Sequence, residues 1–242
     1  MKTAIVIGGS GGIGMASAKG LSKNGFRICI TSRDENKAKQ MLKEHKLPAD
    51  LYKLNARDEK SVSDCISAAI KKYGSLDVVI YSVSAKLTNK KISDLQWHEF
   101  QEHMDAQLKG FFAVVKSMWQ QVLAKRKTKF IVMLSEACIG KPPLGLSHYV
   151  AAKYSLMGFT KSMAVELSKY NCTFNMISPG MVDTNLISGM PSKLAEIVAA
   201  SNPMKRIATP EDVAKVVVFL ASEESDYLNG VNILVNGGSV MM

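Results

Sequence analysis

The stretch TAIVIGGSGGIG, residues 3–14, decides the fold of this chain, because an apolar run passes directly into a cluster of glycines. The run is rich in β-branched residues, as in a buried strand. The glycines form a GxxxGxG pattern, and a helical run begins at Met15. Glycine permits a tight turn and lets a phosphate approach the backbone N–H groups at a helix N-terminus. The stretch therefore predicts the strand, turn and helix of a dinucleotide-binding unit. The predicted turn residues are Gly8, Ser10, Gly12, Ile13 and Gly14.

The alternation of strand and helix continues along the whole chain. Short β-branched runs are separated by longer amphipathic stretches, a pattern typical of a parallel sheet with both faces covered. The sequence predicts an α/β fold, a single Rossmann-type doubly wound domain over residues 1–242, with about seven parallel strands and helices on both faces. The predicted strands lie in TAIVIGG, FRICITS, DLYKLNA, LDVVIYSV, KFIVMLS, CTFNMIS and VNILVNGG.

Composition excludes several classes of protein. With 47% hydrophobic and 21% charged residues, the chain reads as a well-packed globular domain. The net charge of +10 raises the question of nucleic acid. The lysine-rich runs at 86–91 and 124–129 carry no interleaved aromatic residues, which argues against a single-strand binding platform. We therefore expect no nucleic-acid partner.

We expect a cytoplasmic protein without a membrane span or a metal site. No apolar stretch approaches the roughly 18 residues that cross a bilayer. The N-terminus reads as a buried strand and lacks the cleavage site of a signal peptide. The four cysteines are far apart in sequence and the four histidines have no ligand spacing with them, so buried thiols and no metal are predicted.

The end of the second strand, ITSRDE, bears on the choice of cofactor. An NAD-preferring fold usually offers a carboxylate to the ribose hydroxyls at this place, and that carboxylate repels a 2′-phosphate. Here Ser32 takes the place and Arg33 follows it, although Asp34 stands next in line and could neutralise the arginine. A hydroxyl and a planar cation suit a phosphate. NADP(H) is the predicted cofactor, with NAD(H) less favoured.

Tyr149 and Lys153, in SHYVAAKYS (residues 147–155), are four residues apart and share one face of a helix. Such a pair is common on amphipathic helices by chance. A tyrosine normally titrates near pH ~10, and a fixed positive charge nearby lowers its pKa. The spacing therefore fits a general acid/base.

With its glycine turn and Tyr149-x-x-x-Lys153, the sequence resembles the short-chain dehydrogenase/reductase family over essentially its whole length. The resemblance makes Tyr149 the catalytic acid/base, and makes Lys153 the residue that lowers the pKa of Tyr149 and holds the nicotinamide ribose. The segment ISPGMVDT (177–184) resembles the family's cofactor-contacting segment after the sixth strand. The residues it assigns to the cofactor are Pro179, Gly180, Val182 and Thr184.

Three departures from the family pattern concern the predicted site. The family's Asn-Asn-Ala-Gly is Tyr-Ser-Val-Ser at residues 81–84, where Ser82 keeps a backbone wall for the cofactor. The helix asparagine that anchors a relay water in many members is Gln107, whose longer amide can bind the same water. Asn55, followed by Ala56, replaces an aspartate that often contacts adenine, and its amide can make a similar hydrogen bond.

The catalytic serine of the family corresponds to Ser135 or to Glu136. The usual distance to the tyrosine indicates Glu136, whereas Ser135 requires one extra residue in the loop of GKPPLG (140–145). We favour Ser135, because a hydroxyl can stabilise a developing alkoxide and an ionised carboxylate opposes it.

The resemblance implies an NADP(H)-dependent oxidoreductase that moves a hydride between the nicotinamide and a ketone or secondary alcohol. The general form resembles 3-oxoacyl reductases, whose substrate is carried on an acidic acyl carrier protein, and sugar and polyketide carbonyls are equally open as substrates. The alternative is a cofactor-binding regulator or scaffold with little or no turnover. An apolar helical face at Leu194, Ile197 and Val198, within 186–203, could close over a ligand.

The resemblance also implies assembly. The stretch 97–125 reads as one long helix with clustered apolar residues, and the family forms dimers through this helix and usually tetramers through the last strand, here in GVNILVNGG (230–238). We expect a homotetramer, or a dimer.

Overall fold

A computed structural model of the chain describes residues 1–184 and 192–241. Seven strands form one sheet in the order β3-β2-β1-β4-β5-β6-β7, and every neighbouring pair is parallel. This confirms the predicted α/β fold. The strands are β1 (Thr3–Ile7), β2 (Arg27–Ser32), β3 (Ala49–Lys53), β4 (Val78–Tyr81), β5 (Thr128–Met133), β6 (Cys172–Pro179) and β7 (Asn232–Val235).

Helices cover both faces of this sheet. They are α1 (Gly12–Lys23), α2 (Glu35–Glu44), α3 (Glu59–Tyr73), α4 (Trp97–Met104), α5 (Gly110–Ser117), α6 (Trp119–Leu123), α7 (Ser147–Glu166), α8 (Ser192–Ser201) and α9 (Pro210–Ala221). Short 3₁₀ turns lie at Glu136–Cys138, Ser168–Tyr170 and Glu223–Ser225. α1 begins at Gly12, inside the glycine cluster and three residues before the predicted start. None of the helices in the described ranges is long and apolar enough to cross a membrane.

The alternation of side chains along β1 divides the core into two parts. Ile5 and Ile7 face the side on which Phe111, Phe130 and other aromatic residues pack. Ala4 and Val6 face the opposite side, which is shared with α1 and α9. All five residues of β1 are buried, as expected for a central strand with helices on both faces.

The order of the strands places the site. The chain moves outward from β1 through β2 to β3, and then returns to the other side of β1 with β4. In open α/β sheets, ligands bind beyond the carboxyl ends of the strands at the point where the order reverses. The glycine turn lies at this point, directly after β1.

The stretch 97–125 is not one helix, and that expectation is wrong. A π-helical turn, Asp105–Lys109, separates α4 from α5, and a further break at Met118 separates α5 from α6. The hydroxyl of Tyr81 donates a hydrogen bond to the carbonyl oxygen of Ala106 at 2.5 Å, inside the π turn. A Cβ on Gly110 would lie 2.2 Å from the Tyr81 oxygen, so glycine makes room for this bond. A widened turn leaves backbone carbonyls for other donors, and Tyr81 takes one of them.

Candidate active site

The glycine turn is closed so tightly that side chains are excluded from it. Gly8 has a φ of +86°, and a Cβ there would lie 2.4 Å from the carbonyl oxygen of Ser82. A Cβ on Gly14 would lie 2.4 Å from the carbonyl oxygen of Gly8. Gly11 precedes α1 without a side-chain cap, so the first N–H groups of the helix are free of a capping side chain. This is the geometry in which a backbone cradle receives a pyrophosphate.

A cavity of about 320 Å³ lies beside this turn, at the carboxyl ends of β1, β2 and β4. Its lining brings together seven of the predicted cofactor residues: Gly8, Ser10, Ser32, Arg33, Asn55, Ala56 and Ser82. Arg57 and Lys86 also line it and were missed from the sequence, where nothing beyond their proximity to Ala56 and Ser82 marks them. The cavity fits the adenosine half of a dinucleotide, because it joins a glycine cradle to hydroxyl, amide and guanidinium groups.

The hydrogen bonds around Ser32 show which side chains at the end of β2 already have partners. The Ser32 hydroxyl lies 3.0 Å from the hydroxyl of Ser10 and donates to the carbonyl of Asp34 at 2.8 Å. The Asp34 carboxylate caps α2 by accepting from the Lys37 N–H at 3.0 Å. Within the described ranges, Arg33 has no carboxylate within ion-pair distance, so Asp34 does not neutralise it there. Arg57, by contrast, is paired with Glu102 at 3.0 Å.

The segment after β6 lies across the turn from this cavity. Thr184 is so close that a Cβ on Gly12 would lie 2.7 Å from its methyl carbon. Gly180 donates its N–H to the carbonyl of Val235 at 3.0 Å, and Val182 pairs with Ala208 in an isolated bridge. Thr184 thus lies against the glycine turn, whereas Gly180 lines the second cavity, which lies at the ends of β6 and β7.

Tyr149 and Lys153 lie together on α7, both buried. The Lys153 ammonium lies 5.8 Å from the centre of the Tyr149 ring and donates to the carbonyl of Met133 at 2.6 Å. Burial lowers the pKa of Lys153 to about 8. The expectation that the pKa of Tyr149 is lowered is wrong for this structure. Burial raises it to about 12, and a hydrogen bond with Ser135 opposes this rise only in part.

Ser135 and Glu136 have different surroundings. The Ser135 hydroxyl reaches Tyr149 and also accepts from the Ala137 N–H at 3.2 Å, at the start of a 3₁₀ turn. The Glu136 carboxylate accepts a hydrogen bond from Ser239. It lines a second cavity of about 430 Å³, between the ends of β6 and β7 and helix α8. Of the two side chains, Ser135 lowers the pKa of Tyr149 and Glu136 raises it.

Gln107 lies in the π turn and is fully buried. Its side-chain nitrogen is 3.4 Å from Nδ1 of His103, which is itself buried on α4. His148, the residue before Tyr149, is also fully buried, and its ring meets that of His103 edge-on at 4.6 Å between centroids. Neither histidine is predicted from the sequence. The four-residue spacing of His103 and Gln107 was the available indication.

The described residues contain no group of three or more histidine, cysteine or acidic side chains that could hold a metal ion. The part of the apolar face of α8 that is described is largely exposed at Leu194 and Ile197. Residues 185–191, in the first half of the predicted lid, lie outside the described ranges.

Comparison with known proteins identifies the family. A family model described as "Enoyl-(Acyl carrier protein) reductase" matches residues 8–240. The 3-oxoacyl-[acyl-carrier-protein] reductase of Buchnera aphidicola is 32% identical over 100% of this chain and 98% of its own length. The reductases of the same name from Staphylococcus aureus Mu50 and Thermotoga maritima are 30% and 29% identical, each over 99% of this chain and 98% of their own length.

A solved structure from Brucella melitensis 16M, described as a ribose-5-phosphate isomerase, has the same fold. It superposes with a TM-score of 0.91 over 98% of this chain and 92% of that one, at 23% identity. At this identity the likeness concerns the fold alone. The family match over nearly the whole chain, the parallel sheet with its glycine turn and the Tyr149–Lys153 pair agree, and the chain therefore belongs to the short-chain dehydrogenase/reductase family of oxidoreductases.

Proposed function

We propose that this protein is an NADP(H)-dependent reductase that moves a hydride between the nicotinamide and a ketone or secondary alcohol. The observation that carries the proposal is that Tyr149 and Lys153 lie buried together on one face of α7, beside Ser135, which lowers the pKa of the Tyr149 hydroxyl. A carbonyl oxygen needs a proton and a second hydrogen-bond donor as it becomes an alkoxide, and the hydroxyl groups of Tyr149 and Ser135 can supply them. A bound nicotinamide cofactor supplies the hydride.

The direction of proton transfer follows from the pKa of Tyr149. A phenol with a pKa of about 12 stays protonated at neutral pH, so it is ready to donate to a substrate oxygen. Lys153, with a pKa of about 8, remains mostly charged at neutral pH and stabilises the phenolate that donation leaves behind. In this protonation state Tyr149 acts as the acid when a carbonyl group is reduced, and as its phenolate it acts as the base in the reverse reaction.

The preference for NADP(H) rests on charge. Arg33 lines the cofactor cavity without a carboxylate partner in the described ranges, and the side chain at the end of β2 is the neutral Ser32. Arg57 lines the same cavity. Because Arg57 is paired with Glu102, Arg33 is the guanidinium that suits a 2′-phosphate, which a carboxylate at the end of β2 would repel.

As substrate we propose a 3-oxoacyl thioester, carried on an acyl carrier protein. The curated relatives are named for that substrate. The cavity of about 430 Å³ beside Glu136 supports it, because Met181, Val198 and Leu234 give it apolar walls that suit an acyl chain. The net charge of +10 suits an acidic carrier. We further propose a cytoplasmic homotetramer.

The test is oxidation of NADPH with a panel of 3-oxoacyl thioesters, 2-enoyl thioesters and simple ketones. We expect turnover with the 3-oxoacyl compounds. Turnover with the enoyl compounds alone would assign reduction of a carbon–carbon double bond instead, as the description of the family model names. NADPH binding without turnover of any compound would favour the regulator or scaffold.

A further inference from the structure

The cavity of about 430 Å³ between the ends of β6 and β7 and helix α8 has a carboxylate among its apolar walls. This carboxylate belongs to Glu136, which follows Ser135 directly in the chain. Two neighbours hold it in place. Ser239 donates a hydrogen bond to Oε2, and a Cβ on Gly180 would lie 3.2 Å from the same oxygen. The Glu136 carboxylate is therefore fixed at the cavity wall, next to a residue of the proposed catalytic site.

The two amide side chains of this cavity are already bonded inside the protein. The amide of Asn202 donates to the carbonyl of Asn236 at 2.8 Å and accepts from the Met204 N–H at 2.9 Å. The amide of Asn236 donates to the carbonyl of Val240 at 2.8 Å and accepts from the Gly238 N–H at 3.1 Å. Both amides are buried. Each thus uses its oxygen and its nitrogen to hold the cavity together.

The charges of the cavity leave Glu136 unbalanced. Arg206 and Asp212 also line it, and they form an ion pair at 2.6 Å, so their opposite charges cancel. Within residues 1–184 and 192–241, no cation lies within ion-pair distance of Glu136. A carboxylate has about four acceptor positions, and Ser239 takes one of them. Glu136 therefore gives this cavity a negative charge and free hydrogen-bond acceptor positions.

We propose that Glu136 is a specificity-determining residue, which binds a hydroxyl group on the acyl chain of the substrate and excludes a chain that ends in an anion. This inference rests on the proposed function, which places the acyl chain in this cavity. The apolar walls suit the methylene groups of that chain. A hydroxyl group can donate a charge-assisted hydrogen bond to the carboxylate, whereas a second carboxylate is repelled by it.

A purely alkyl chain fits this cavity less well. Methylene groups beside Glu136 would displace water from the carboxylate without replacing its hydrogen bonds, and an unpaired charge is costly to bury. A site built to bond a substrate hydroxyl rejects the analogue that lacks it, because the polar group of the protein is then left unpaired. The geometry therefore favours a 3-oxoacyl thioester with a hydroxyl group on its chain.

Three substrates that differ only at the end of the chain test this assignment. They are short 3-oxoacyl thioesters of N-acetylcysteamine whose chain ends in a methyl, a hydroxyl or a carboxylate group. For the parent we expect kcat/KM, measured by oxidation of NADPH, to be roughly tenfold or more higher for the hydroxyl than for the methyl ending. It should be lowest for the carboxylate ending. Ratios between substrates within one protein do not depend on how much of that protein is active.

Two substitutions separate charge from hydrogen bonding. Glu136→Gln keeps an acceptor of the same size but removes the charge. Relative to the methyl ending, the carboxylate ending should gain roughly tenfold or more, and part of the hydroxyl preference should remain. Glu136→Leu removes both properties, so the hydroxyl preference should disappear. The matched control is Glu44→Gln, at the exposed end of α2, which should keep all the ratios of the parent.

A parent that reduces all three thioesters equally well would overturn the inference and leave the proposed function standing. Parent ratios in the glutamine variant would do the same, because Glu136 would then not face the chain. If the leucine variant does not fold, the glutamine variant still decides through the carboxylate ending. A parent that reduces none of the thioesters fails before any variant is compared, and that outcome rejects the proposed function itself.

Discussion

Single residues decide whether this site can transfer a proton. Burial raises the pKa of Tyr149 to about 12, and Ser135 lowers it only in part. The pair on α7 was predictable from spacing alone. The raised pKa was not, because it depends on how completely β5, α4 and α7 remove the phenol from water. Likewise, the sequence allows either Ser135 or Glu136 in the place of the family's catalytic serine. Their surroundings differ because Glu136 lies against the ends of β6 and β7, which are distant in sequence.

Tyr149→Phe keeps the ring and its packing but removes the proposed proton donor. We expect kcat for carbonyl reduction to fall by about 10²–10⁴-fold, while the dissociation constant for NADPH changes little. Steady-state kinetics and fluorescence titration measure the two. Tyr154→Phe, on the same helix at a position 45% exposed, is the control and should behave like the parent. Equal rates in all three proteins would remove Tyr149 from the mechanism.

Arg33→Ala should weaken binding of NADPH by roughly tenfold or more and leave NADH nearly unchanged, because only NADPH carries the phosphate that a guanidinium binds. Calorimetric titration with each cofactor gives the comparison. Arg126→Ala, on an exposed loop outside the cavity, should change neither affinity. An equal loss for both cofactors would mean that Arg33 contacts a part of the dinucleotide that they share.

At the scale of elements, the seven strands and the glycine turn could be read from the sequence, because each depends on a local pattern of apolar residues and glycine. The π turn between α4 and α5 could not. It depends on Tyr81, from β4, meeting the carbonyl of Ala106 across the interior. Tyr81, which stands where the family has the first asparagine of its Asn-Asn-Ala-Gly segment, therefore contacts the turn that holds Gln107.

Gly110→Ala tests this contact. A methyl group there would lie 2.2 Å from the Tyr81 oxygen and 2.6 Å from the Ala56 carbonyl, so the variant should lose about 1–3 kcal/mol of unfolding free energy. Gly158→Ala is the matched control, because that glycine also lies in a helix and has nothing within 4 Å of the added methyl. The control should be neutral or up to about 1 kcal/mol more stable. Urea denaturation measures both, and similar stabilities would contradict the role of Gly110.

At the scale of the whole molecule, exposed apolar side chains indicate that copies of this chain associate. On the outer faces of α5, α6 and α7, the side chains of Phe112, Trp119, Tyr154 and Val165 are 42%, 40%, 45% and 81% exposed. Such a patch is typical of a surface that another subunit covers. The breaks in the stretch 97–125 do not remove it, because α5 and α6 both contribute to it.

Light scattering at micromolar concentration should therefore give a mass near four times the 26.4 kDa of one chain. Trp119→Glu should shift the mass toward smaller species, because a charge in an apolar interface is costly to bury. Gln40→Glu, which makes the same change of charge at an exposed position on α2 outside the patch, serves as the control for net charge alone. A parent that remains monomeric would contradict the predicted tetramer.

Stability should also depend on pH in a way that His103 explains. Burial, with help from His148, lowers the pKa of His103 to about 4 in the folded protein, so between about pH 6.5 and pH 4 the unfolded chain binds more protons. Stability must then fall as the pH drops through this window. His103→Leu should remove on the order of 1–3 kcal/mol of that fall, as measured by urea denaturation at several pH values. The exposed His45→Leu is the control, and a parent-like slope in the His103 variant would refute the assignment.

The strand order has a consequence for synthesis. β1 to β4 occupy the first 81 residues and form four neighbouring places of the sheet, so they can pair before the rest of the chain has left the ribosome. The edge of β4 remains unpaired until β5, which begins at Thr128, has been synthesised. At translation rates of about 5–20 residues per second, that edge stays unpaired for seconds. An unpaired strand edge is prone to aggregation, and chaperones can prevent it. Tyr149 and Lys153 arrive later still, so a nascent chain can display the glycine turn before it has a proton donor.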